Sequence, residues 1–103
     1  MKKTVVTIGL NDQDTKFQVI DTDTAKKTVT NLLIYNCIDG ATITDAVGVY
    51  RHESGVLITE NSIQVTIFDA DMTNVYNACK AIKNALNQES VVIENLETNT
   101  VFF

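Results

Sequence analysis

The sequence predicts an α+β fold: a ferredoxin-like βαββαβ two-layer sandwich in which both helices cover one face of an antiparallel sheet. Three observations lead there. Runs of β-branched residues alternate with two stretches in which apolar residues recur at helical spacing. Turn-forming residues punctuate the order strand, helix, strand, strand, helix, strand. The 103 residues suffice for one hydrophobic core and are too few for two, so residues 1–103 are expected to form a single domain.

The elements follow in order. Thr4 to Leu10 is rich in β-branched residues, with Val6, Ile8 and Leu10 on one face, and reads as the first strand. Asn11 to Asp14 is turn material, and Lys16 to Ile20 alternates well enough to form an extra short return strand. From Thr22 to Cys37 the period changes: Ala25, Val29, Leu32 and Leu33 share one helical face. Asp21, Thr22 or Asp23 can cap that helix, and Asp39-Gly40 supplies a stop. Ala41–Arg51 and Val56–Ala70 are strand-like and joined by His52-Glu53-Ser54-Gly55, a hairpin-sized loop. Gly48 suggests a bulge or a close backbone approach in the first of these, and Glu60-Asn61 a bend in the second. Asp71 opens the second helix, whose stripe runs Met72, Val75, Tyr76, Cys79, Ile82 and Leu86 to an end at Asn87-Gln88. Ser90–Leu96 is the last full strand, and residues 98–103 either extend it or turn back as a fifth.

Composition narrows the function classes. A formal net charge of −5 argues against a nucleic-acid backbone binder, which needs a basic stripe to displace counterions. The first strand also lacks the aromatic stacking platforms of an RNA-recognition motif. The basic start, Lys2-Lys3, resembles a secretory signal, but the apolar run behind it is interrupted at Thr7 and stops at Asn11. No segment approaches the apolar length of a membrane span. Cys37 and Cys79 lie far apart without a paired spacing, and read as free buried thiols of a cytoplasmic protein.

Candidate chemistry is sparse. The Asp-x-Asp pairs at Asp12/Asp14, Asp21/Asp23 and Asp69/Asp71 lack the later ligands and glycine of a calcium loop, and Cys37, Cys79 and His52 lack zinc-clip spacing. No metal site, phosphate loop or dinucleotide fingerprint is present in the sequence, and no cofactor is implied. The only histidine and the only arginine fall together in Tyr50-Arg51-His52-Glu53. His52 and Tyr50 are the residues that could act as acid or base, whereas a turn location makes Tyr50, Arg51, His52 and Glu53 more natural as a partner-contacting tip.

The blocks Ile8–Asp12, Gly40–Gly55, Ile58–Ile63 and Asn87–Val91 resemble, in order, a family of small uncharacterised bacterial domains that also occur among phage and mobile-element genes. The resemblance implies the fold and a hairpin geometry in which Gly48, Tyr50 and Gly55 recur; it implies no catalytic residue. Three readings of function follow. The leading one is a non-enzymatic binding domain that forms a homodimer through its uncovered sheet face. A second is a dimeric α+β barrel enzyme acting on a small organic substrate. A third is an acidic inhibitor that presents Asp12, Asp14, Asp21, Asp23, Glu94 and Glu97 to a basic host protein.

Overall fold

A computed structural model describes the whole chain from Met1 to Phe103. Its elements are β1 (Lys2–Gly9), α1 (Thr22–Tyr35), β2 (Thr42–Arg51), β3 (Leu57–Phe68), α2 (Met72–Ala85) and β4 (Val92–Glu97). The strands form one sheet in the order β2-β3-β1-β4, and every neighbouring pair is antiparallel. β1 and β2 therefore run parallel with β3 between them, as do β3 and β4 with β1 between them. These two split β-α-β units are the ferredoxin-like arrangement that the element order predicts.

The core forms between the helices and one sheet face, because the strand period of two sends alternate residues there. Val6 and Ile8 of β1 pair with Val65 and Ile63 of β3, and all four are buried. Above them lie Ala25, Val29 and Leu33 of α1 and Val75, Ala78, Cys79 and Ile82 of α2. Thr4 is buried in the same layer, and its hydroxyl donates to Asn95 Oδ1 at 2.8 Å, which removes the penalty of a buried polar group. The opposite face carries Thr7, Thr42, Thr44, Gln64 and Thr66 through its centre and is covered by no element of the chain.

Both helices begin as the sequence predicts, and Asp21 and Asp71 are the residues that cap them. Asp21 accepts from the Thr24 N–H and Asp71 from the Thr73 N–H. The Thr24 hydroxyl also donates to Asp21, and this bond leads the effects that hold the Asp21 carboxyl below its ordinary value. Both helices end in the same way. Cys37 takes a left-handed φ of 64°, its N–H donates to Ile34 O, and Ile38 N–H donates to Leu33 O. Asn87, at φ 47°, repeats the pattern with Asn84 O and, through Gln88 N–H, Lys83 O. Ile38 and Leu33 are both buried, the apolar contact that accompanies this motif.

Several expectations need correction. Helix α1 stops at Tyr35, ahead of Asp39-Gly40, because burial of Ile38 outweighs the reluctance of a cysteine to adopt positive φ. That turn leaves Cys37 exposed, so only Cys79 is a buried thiol. Lys16–Ile20 forms no strand; a single bridge joins Asn11 to Gln18, while Phe17 and Val19 point to solvent. The β2–β3 ladder runs unbroken through Gly48↔Glu60 and Val47↔Asn61, with no bulge. Residues 98–103 carry no strand; Phe102 instead packs edge-on against Phe68. No helix is long and apolar enough to cross a membrane.

The two thiols are expected to differ in reactivity. Burial pushes the Cys79 thiol up to about 11, so the thiolate is scarce near neutral pH. Titration with a thiol-reactive dye at pH 8 should show one fast equivalent, assigned to Cys37 by its loss in Cys37→Ser, and a second only on unfolding.

Candidate functional site

Strand lengths create the site. The pairing of β1 with β3 ends at Gly9↔Ser62, but β2 and β3 continue together from Val47↔Asn61 to Arg51↔Leu57. Beyond Ser62 the sheet is thus a two-stranded arm. On the uncovered face, the end of β1, the base of this arm and the loops after β1 and α2 surround an open cleft of about 340 Å³. Its walls include Thr7, Gly9, Asn11, Asp12, Lys16, Gly48, Tyr50, Glu60, Ser62, Gln88 and Glu89.

Glu60 is the central acidic group. The register puts it on the cleft face of β3, directly opposite Gly48 and two residues beyond Ser62, the partner of Gly9. Its Oε2 accepts the Asn11 N–H at 3.0 Å. A Cβ at Gly9 would lie 2.7 Å from Glu60 Oε1, so the carboxylate rests where a side chain at Gly9 would be. Glycine here is a requirement of close approach. A larger residue would push the carboxylate away from the Asn11 N–H. At Gly48 an added Cβ would meet Ser62 Oγ no closer than 3.4 Å, an ordinary contact, so that glycine is less constrained.

The two loops are tied together. Asn87 Nδ2 donates to Asp12 Oδ1 at 2.8 Å and to Asp14 Oδ2 at 2.9 Å, while Gln13 Nε2 donates to Asn87 Oδ1 at 2.8 Å. The Gln13 N–H also donates to Asn87 O. Buried Gln88 donates to Asn11 O and Leu86 O, joining the end of α2 to the end of β1. The Asn87 hydrogen bond is the largest effect holding the Asp12 carboxyl below its ordinary 3.8. Because the folded form favours the carboxylate, this contribution is present above that value and is lost as pH falls below it. The left-handed end of α2 thus fixes the cleft wall as well as ending a helix.

The sequence-nominated residues separate in space. Tyr50 lines the cleft, half exposed. His52 sits at the exposed arm tip, where its Nδ1 accepts the Ser54 N–H at 3.2 Å and lies 3.1 Å from Ser54 Oγ. Arg51 donates to Gly55 O at 2.8 Å, Glu53 is exposed, and Gly55 takes φ 88° to complete the turn. None of Arg51, His52 and Glu53 lines the cleft. Several of the carboxylates named for an acidic surface have local partners: Asp21 caps α1, Asp23 faces Lys26, and Glu97 lies 3.4 Å from the N-terminal ammonium. Glu60 and Gln88 enter the sequence reading only as a strand bend and a helix end, and Gly9 only as a special backbone position; none of the three is a site candidate there. A glycine closing a strand and a lone glutamate inside a β-branched run were the available signals, and neither identifies its partner.

Solved structures resemble this arrangement. A phage SAM lyase in complex with S-methyl-5'-thioadenosine is 28% identical over 93% of this chain and 80% of its own, with a TM-score of 0.67. The apo phage SAM lyase gives 26% identity, 92% and 78% coverage, and a TM-score of 0.61. CutA1 from Pyrococcus horikoshii, at 17% identity, 99% and 87% coverage and a TM-score of 0.60, shares the fold. No curated protein matches the sequence. The model of the DUF3574 family, proteins of unknown function, matches residues 3–102, and the chain belongs to that family.

Proposed function

We propose that this protein is a lyase whose cleft binds S-adenosylmethionine (SAM) and releases a 5'-thioadenosine product. The observation that carries the reading is the Glu60 carboxylate: one oxygen is fixed by the Asn11 N–H, and the group is held over Gly9 in an open cleft. A sulfonium amino acid brings positive charge, and a carboxylate in a partly desolvated cleft attracts it more strongly than one in bulk water. Tyr50 offers an aromatic face at the rim on which a purine can stack. The likeness to a SAM lyase above 25% identity and over most of both chains supports the same ligand class.

The chemistry asks little of the protein. The bond between the sulfonium sulfur and the carbon of the amino-acid chain breaks, and its electron pair stays on sulfur. A cation thereby becomes a neutral thioether, and the carbon that loses the sulfur gains a bond from the amino acid's own carboxylate oxygen, closing a lactone, so that atoms, electrons and charge balance within the one substrate. No oxidant enters. Incubating the purified chain with SAM and separating the products by chromatography is expected to show S-methyl-5'-thioadenosine at a rate above the buffer blank. The absence of both SAM binding and SAM consumption would remove the reading in favour of a non-enzymatic binding domain.

A second reading concerns assembly. Val47, Val49, Val56 and Leu57 are each more than half exposed on the arm, beyond the reach of the helices. Such a two-stranded apolar arm is poorly stable by itself. This supports self-association, with the arm favoured over the threonine-lined centre of the open face. Sedimentation should show an assembly larger than a monomer, reduced to monomer by Val49→Asp; a wild-type monomer at high concentration would exclude it.

A further inference from the structure

We propose that Lys16 recognises the carboxylate of the ligand's amino-acid portion and so separates substrate from thioether product. The inference rests on the SAM reading of the cleft and adds a specificity-determining residue to it. Lys16 is the one basic residue in the cleft wall, where the carboxylates are Asp12, Glu60 and Glu89. Its backbone is fixed: φ is 67°, and its N–H donates to Asp12 O at 2.9 Å inside a loop closed by Asp12 N–H to Phe17 O at 2.8 Å. The Asp12 carboxylate braces the same loop by accepting the Asp14 and Thr15 N–H groups. The position is therefore built, even though the ammonium ends in solvent.

Its charge is also free. The ion pairs of the chain are those of the N-terminus with Glu97 and of Lys26 with Asp23 and Asp45; Lys16 joins none of them. Asp12 cannot readily turn to it, since one of its oxygens takes the Asn87 amide and the other takes two backbone N–H groups. The pattern matches a zwitterionic sulfonium. Glu60 and Glu89 face two positive charges, the sulfonium and the α-ammonium, and Lys16 faces the single carboxylate. A methylthioadenosine has neither end group and gives Lys16 nothing to hold, so the same lysine would favour entry of substrate without retarding product.

The test compares two thioethers that differ in the amino-acid portion, S-adenosylhomocysteine and S-methyl-5'-thioadenosine, by calorimetric titration of wild type, Lys16→Met and Lys16→Arg. Lys16→Met is expected to weaken S-adenosylhomocysteine about 5- to 10-fold and to leave S-methyl-5'-thioadenosine within about twofold, with Lys16→Arg near wild type. Equal losses for both ligands would mark a structural role for the loop, and no loss for either would mark a solvated lysine; each overturns the proposal while leaving the SAM reading intact. If wild type binds neither ligand, the SAM reading falls and this inference falls with it.

Discussion

Replacing Glu60 by glutamine is expected to lower SAM affinity about 10- to 100-fold, because it removes a charge that the cleft holds in place and keeps nearly the same shape. The Asn11 N–H can still donate to the amide oxygen in that variant, so the loop after β1 should stay where it is. Thermal unfolding should be within a few degrees of wild type. S-methyl-5'-thioadenosine, which carries no positive charge, should lose much less affinity. Calorimetric titration with both ligands checks the claim. An unchanged SAM affinity would remove Glu60 from the site, whereas a parallel loss for both ligands would indicate displaced loops.

The second large effect lies in the core. Ile8 is fully buried on β1 opposite Ile63, in the layer that both helices cover. Ile8→Ala deletes apolar volume that the close-packed neighbours cannot refill and is expected to cost about 2–5 kcal/mol. Since a domain of this size is stable by only about 5–15 kcal/mol, the urea midpoint should fall by a large fraction of its value. Thr44→Ala on the uncovered face should stay within about 0.5 kcal/mol. Similar losses at the two positions would mean that the uncovered face is packed after all, as it would be inside an assembly.

The contrast between these positions shows what local sequence can carry. Ile8 and the α2 stripe of Val75, Cys79 and Ile82 announce themselves through periods of 2 and 3.6, which depend only on neighbours along the chain. The Asp21 and Asp71 caps are likewise local: a short acidic side chain reaches an N–H two or three residues ahead. The end of α1 was less legible, because the left-handed turn at Cys37 is selected by burial of Ile38 in a core that the local sequence does not show. The uniqueness of His52 and Arg51 drew attention to the arm tip, but uniqueness in composition carries no information about enclosure. The structure places the concave surface toward the base of the arm, and of the four tip residues only Tyr50 reaches it.

The sequence by itself determined the order of the elements, both helix starts, the acidic balance and the buried stripes apart from Tyr76, which α2 leaves exposed, since each follows from spacing and residue type within a few positions. Only the tertiary structure decided that Gly9 lies beneath the Glu60 carboxylate, that Asn87 ties the two loops together, and that Lys16 shares a wall with three carboxylates. The first two relations join residues about fifty or more positions apart, and the third brings a loop lysine and a loop aspartate together with carboxylates from a distant strand and from the loop after α2. They are fixed by strand register and by where β1 stops while its neighbours continue, and register is settled by packing the whole sheet against both helices.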